Sequence, residues 1–116
     1  MPKAMPSMTM YQPGDIVLIG FPLGGSGQRK VRPALVILDS GDADIVVARL
    51  TTQIHQSSFD IALSDWKGAG PKVPTVVRLH KLATLEKSLV QLLIGSLQQL
   101  DRQPISATMR QTYGNW

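Results

Sequence analysis

The apolar residues of this chain fall in short runs of strand length, and only the last run has the spacing of a helix. Asp15 to Phe21 (DIVLIGF) is β-branched and apolar, and Val31 to Leu38 (VRPALVIL) repeats the pattern. Gly24-Gly25-Ser26-Gly27 between them reads as a flexible loop, and Pro33 falls near a strand start, where proline is tolerated. Asp39-Ser40-Gly41-Asp42 is a turn signal, so Ile45 to Thr52 (IVVARLTT) pairs back as a hairpin. Phe59 to Leu63 is a short alternating stretch, and Ser64 to Pro74 reads as a loop. Thr75 to Leu82 (TVVRLHKL) alternates clearly. That period puts Val76, Arg78 and His80 on one face and Val77, Leu79 and Lys81 on the other. Leu92 to Leu97 is a last strand, broken at Gly95. Asp101 to Tyr113 reads as a terminal helix, with Asp101 as N-cap, Pro104 in the first turn, and Ile105, Met109 and Tyr113 at helical spacing.

Short strands with tight turns and no long parallel crossovers predict an α+β, mainly β fold: a small, strongly bent sheet or partly open barrel with a C-terminal helix. Residues 1–10, rich in methionine and without periodicity, are expected to be a disordered tail, and residues 11–116 a single domain. The 43% hydrophobic content suffices for a core. No apolar run reaches the roughly 18 residues of a membrane span, and no cysteine is present. Together these point to a cytoplasmic protein without a disulfide framework. The net charge of +4 fits an anionic partner, either nucleic acid or an acidic protein segment.

The chemistry is first narrowed by what is missing. Gly24 to Gly27 lacks the lysine and helix start of a phosphate-binding P-loop. There is no H-E-x-x-H and no cysteine cluster, so no metal site and no cofactor is expected. What remains is a polar set beside apolar strands: Arg32 where the basic loop enters the sheet, Thr51, Thr52 and Gln53 at a strand end, and Arg78 with His80 on one face. A guanidinium fork held at a strand entry suits phosphate. The set lacks a strong nucleophile, yet RNA brings its own in the 2′-hydroxyl, leaving the protein to stabilise charge and move protons. Arg78 on an apolar strand either lines a pocket or pairs with an acid such as Asp15 or Asp60. Trp66 either stacks on a base or packs beneath its own loop.

GDIVL, KVRPALVIL, ARLTTQ and TVVRLHKLATLEKS…IGSL occur in the order found in the MazF/PemK toxins of bacterial toxin–antitoxin pairs, and the chain resembles that family from about Gly14 to Leu97. The DW-x-x-AG-x-x-x-P loop is similar to the PemK-like branch. The resemblance implies an SH3-like, CcdB-related barrel, usually a homodimer. It also implies metal-independent cleavage of single-stranded RNA, giving a 2′,3′-cyclic phosphate and a 5′-hydroxyl. It carries catalytic roles onto Arg32, Thr51 and Arg78, with His80 where relatives have a carboxylate. Ala83 stands where many relatives have arginine. RNA contacts are expected from Arg29, Lys30, Thr52, Gln53, His55 and Lys81. The implied partners are RNA and an antitoxin with an acidic, flexible C-terminus, with DNA reached only through the antitoxin. Two rival readings remain: a non-enzymatic gyrase poison of the CcdB type, and a cleavage-dead RNA- or protein-binding module on the same barrel.

Overall fold

The computed structural model describes residues 9–116; the expected tail lies mostly outside them. The strands are β1 (Asp15–Pro22), β2 (Arg29–Leu38), β3 (Asp44–Thr51), β4 (Asp60–Ala62), β5 (Val76–Glu86) and β6 (Val90–Ser96). A four-residue helix, α1 (Trp66–Ala69), follows β4, and α2 (Gln99–Tyr113) ends the fold. The strands form one antiparallel sheet in the order β4-β5-β3-β2-β1-β6. Its edges, β4 and β6, do not pair, so the barrel is open, as the short strands and tight turns predict.

Strand alternation gives the sheet two buried faces. Ile16, Leu35, Ala48, Leu50, Val77 and Leu79 point to one side, where Ile105 and Met109 of α2 and Ala69 of α1 cover them. Val17, Ile19, Ala34, Val36, Ile45 and Val47 point to the other. Neither α1 nor α2 lies there; Leu85, Val90, Phe21 and Leu89 of the short helical turn Lys87–Leu89 pack against it. Each strand therefore reads as nearly continuous apolar sequence rather than half polar.

Several local expectations need correcting. The segment Ser64 to Pro74 is not all loop: Asp65 accepts a bond from the Gly68 amide at 2.9 Å and starts α1, and Gly70, with φ +119°, ends it. Asp101 is not the cap of its own helix. It lies in the first turn of α2, buried, and accepts from the amides of Ser64 at 2.7 Å and Asp65 at 2.9 Å, pinning α2 to the start of α1. Gly95 does not break β6. It lies so close to α1 that an added Cβ would stand 1.9 Å from the Ala69 carbonyl oxygen, so the missing side chain is what lets the two elements touch.

The alternation expected along β5 also fails partway. Ala48 stands opposite Leu82 while the next residue, Arg49, stands opposite Arg78, so Leu79, His80 and Lys81 bulge from the ladder. Lys81, expected beside Val77 and Leu79, is exposed instead. The bulged backbone finds partners elsewhere: the Leu79 amide donates to the Phe59 carbonyl at 2.9 Å, and its carbonyl accepts from the Tyr113 hydroxyl at 2.6 Å.

Candidate active site on the uncovered sheet face

The polar residues gather at one end of the face that neither α1 nor α2 covers. β2 pairs with β3 through Ala34↔Arg49, Leu35↔Ala48 and Val36↔Val47. Extended beyond its last pair, Ala34↔Arg49, that register points Arg32 towards Thr51 on the same face. On its far side Thr51 faces Val76, and Arg49 faces Arg78. Arg32, Arg49, Thr51 and Arg78 thus share one face, next to the apolar patch of Ile19 and Ala34.

Their bonding differs. Arg78 is braced: its Nε donates to Asp60 Oδ1 at 2.8 Å from the neighbouring strand β4. Asp60 is therefore the acid Arg78 pairs with; Asp15 instead accepts from the Gln12 amide. The other Asp60 oxygen takes the hydroxyl and the amide of Ser57. Burial works to raise the Asp60 pKa, but Arg78 and Ser57 outweigh it and hold the carboxyl below its ordinary 3.8. Arg32 and Arg49 enter no ion pair among the described residues.

The second guanidinium nitrogen of Arg78 lies 3.5 Å from His80 Nε2. A guanidinium can only donate, so Nε2 accepts and, in the neutral ring, the proton sits on Nδ1. That Nδ1 is buried without a hydrogen-bond partner among the described residues. The ring packs on Phe59, centroids 5.1 Å apart. Asp60, Arg78 and His80 form one chain of contacts across β4 and β5.

Thr51 and Thr52 are not equivalent. The Thr51 hydroxyl accepts from the Gln53 amide at 3.1 Å, which fixes the oxygen and leaves its proton free to donate outward. Thr52 lies exposed past the strand end, as does Gln53. Lys30 falls on the Arg32 face and Arg29 on the opposite one, where its stem lies beside Gly20. His55 is half-buried in the loop after β3, and Lys81 is exposed on the bulge. Trp66 packs against the helix-covered core with Lys67 over its ring, so it is a packing residue. A groove of about 350 Å³ lies elsewhere, between α2 and the start of β1, and holds none of these side chains.

Sequence reading missed Arg49 and left the acid partner of Arg78 open between Asp15 and Asp60. Arg49 was legible in principle, since it precedes Thr51 by two residues and a strand repeats its faces with that period. The Asp60–Arg78 contact spans 18 positions and depends on which strands pair.

Among the described residues no group of three or more histidine, cysteine or acidic side chains could hold a metal ion, and no helix is long and apolar enough to cross a membrane. Residues 12–113 match the family described as PemK-like, MazF-like toxin of type II toxin–antitoxin system. A sequence comparison with curated proteins finds no match. Among solved structures, the fold is similar to an endoribonuclease from a mycobacterial species (TM-score 0.72, 18% identity, covering 94% of this chain and 97% of that one). It is also similar to the Mycobacterium tuberculosis toxin MazF-mt6 (TM-score 0.71, 17% identity, 88% and 99%). A third similar structure is the MazE–MazF complex of Deinococcus radiodurans (TM-score 0.70, 18% identity, 91% and 97%).

Proposed function

The chain belongs to the PemK-like, MazF-like toxins of type II toxin–antitoxin systems, and from that premise we propose that it is an endoribonuclease cleaving single-stranded RNA without a metal. The observation that supports this reading is that Arg32, Thr51 and Arg78 lie on one sheet face. In the reaction the 2′-oxygen attacks the adjacent phosphorus as it loses its proton. The bond to the 5′-oxygen breaks and that oxygen gains a proton, leaving a 2′,3′-cyclic phosphate and a 5′-hydroxyl. Arg32 neutralises the charge that grows on the non-bridging oxygens and takes part in proton transfer. The free proton of Thr51 donates to one of those oxygens. Arg78, braced by Asp60, adds fixed positive charge, and His80 orients it. Such preorganised donors are worth most where charge develops in the transition state. An open sheet face fits an extended single strand, whose bases can be splayed and read.

One of the similar solved structures is the MazE–MazF complex of Deinococcus radiodurans. By analogy, the partner of this chain is an antitoxin whose acidic segment sets carboxylates where RNA phosphates lie. The same family supports a cytoplasmic homodimer that reaches DNA only through that antitoxin. The test is incubation with a defined oligoribonucleotide in EDTA, followed by end-group analysis. Cyclic phosphate ends are expected, and a 2′-deoxy nucleotide at the scissile position should block cleavage. A 3′-hydroxyl product, or activity that requires added metal, would overturn the mechanism. No cleavage at all would favour the gyrase-poison or binding-module reading.

A further inference from the structure

We propose that Arg49 holds a second phosphate of the RNA, one step along the strand from the scissile phosphate; this rests on the endoribonuclease reading. Arg49 is exposed in the middle of β3, a central strand, with Ala34 opposite on one side and Arg78 on the other. Like charges directly opposite on neighbouring strands destabilise a sheet. Asp60 neutralises Arg78 at 2.8 Å and makes no contact with Arg49. Among the described residues Arg49 has no ion pair or side-chain hydrogen bond, so its charge faces solvent uncancelled on the candidate site's own face. An exposed β-strand position chosen for stability alone favours threonine, valine or an aromatic residue.

Geometry sets the ligand. Arg49 and Thr51 are same-face neighbours on β3, about 7 Å apart along the strand. The β2–β3 register, extended beyond its last pair, points Arg32 towards Thr51. The Arg32–Thr51 pair and the Arg49 guanidinium are therefore two anion-binding points separated along the strand axis. A polynucleotide, with a charge at every residue, fills both; an isolated phosphate group fills one. Arg49 touches neither the attacking nor the leaving oxygen in this arrangement, so it contributes to binding and register rather than to the chemical step.

The experiment compares wild type, Arg49→Gln, Arg49→Lys and a control on the helix that covers the other sheet face, Arg110→Gln, with folding checked by circular dichroism. Binding is read by fluorescence anisotropy on an oligoribonucleotide made uncleavable by one 2′-deoxy nucleotide, across a salt series. Cleavage is read as KM and kcat. Arg49→Gln should weaken binding about ten-fold and raise KM to match, with kcat within about three-fold. The slope of log affinity against log salt should fall by about 0.7, the share of one phosphate contact on a single strand. Arg49→Lys should restore most of the slope, and Arg110→Gln should match wild type. Unchanged affinity and slope in Arg49→Gln would overturn the proposal. So would a fall in kcat at unchanged KM, which would put Arg49 on the reacting phosphate. A wild type that neither binds nor cleaves RNA would instead defeat the endoribonuclease reading, and this subsite with it.

Discussion

Two ion pairs lie toward opposite ends of β5, and they are built for different ends. At one, Lys87 meets Asp39 at 2.9 Å with both side chains sealed, 1% and 0% exposed. Asp39 also accepts from the amides of Tyr11 and Gly41, so its oxygens are fully occupied. At the other end Arg78 meets Asp60 at 2.8 Å, but the arginine side chain remains 20% exposed and touches a histidine with an unpartnered nitrogen. Unpaired arginines stand beside it. The closed pair clips the chain start and the turn at Lys87–Leu89 onto the strand ends. The open one leaves donors that the rest of the chain does not use. Burying charge is costly unless every partner is supplied, which fits the first as architecture and the second as a site.

The comparison can be broken from either side. The largest effect should come from the closed end. Lys87→Ala leaves Asp39 buried without its cation and should cost about 3–5 kcal/mol of stability, with RNA cleavage per folded molecule unchanged. Burial alone would raise the Asp39 pKa; the Tyr11 amide, Lys87 and the Gly41 amide bring it below 3.8. A carboxyl depressed on folding contributes fully above its ordinary pKa and loses that contribution as pH falls through the lower folded value. The melting temperature of the wild type should therefore drop below about pH 4, and that of Lys87→Ala should drop less. Denaturant titration and a thermal series across pH check both.

At the open end the pattern reverses. Arg32→Ala should slow cleavage by about 10²–10³-fold, the usual loss for one donor to a developing anion, while the melting temperature stays near wild type. Single-turnover rates and a melting curve on the same sample separate the two. A smaller loss, about ten-fold, is expected for Thr51→Ala, because the Thr51 hydroxyl is oriented by the Gln53 amide. Thr52→Ala should lie closer to wild type; the opposite order would hand the role to Thr52. The smallest effect belongs to His80. Its Nε2 accepts from Arg78 and its ring rests on Phe59, so His80→Asn should cleave within a few-fold of wild type, with the pH–rate profile unchanged. Loss of a limb between about pH 5 and 8 would make His80 a proton carrier instead.

Period-two alternation was enough to put Arg78 and His80 on one face, because that inference needs only neighbours in sequence. It failed one residue later, at Lys81, because the bulge is imposed by the register with β3 rather than by the residues of β5. Asp101 shows the same limit. An acidic residue before a helical pattern reads as a cap, yet its oxygens serve amides 36 and 37 positions away. The helix α1 was missed because four residues carry no readable period, although Asp65 and Gly70 mark its ends. Arg49 was overlooked because the run IVVARLTT is apolar enough to read simply as strand.

The Tyr113 hydroxyl, in the last turn of α2, holds the carbonyl of Leu79, and the next residue is His80. The last turn of α2 is thereby linked by one bond to the strand that carries Arg78 and His80. A molecule that grips α2 from outside and draws Tyr113 away would loosen the bulge that aims His80, without touching the face of the candidate site. By linkage, RNA seated on the face would weaken that grip by the same factor. The coupling through a single hydrogen bond is bounded at about 1 kcal/mol, or roughly five-fold in affinity. That is enough to bias such a grip and too little to switch the protein off.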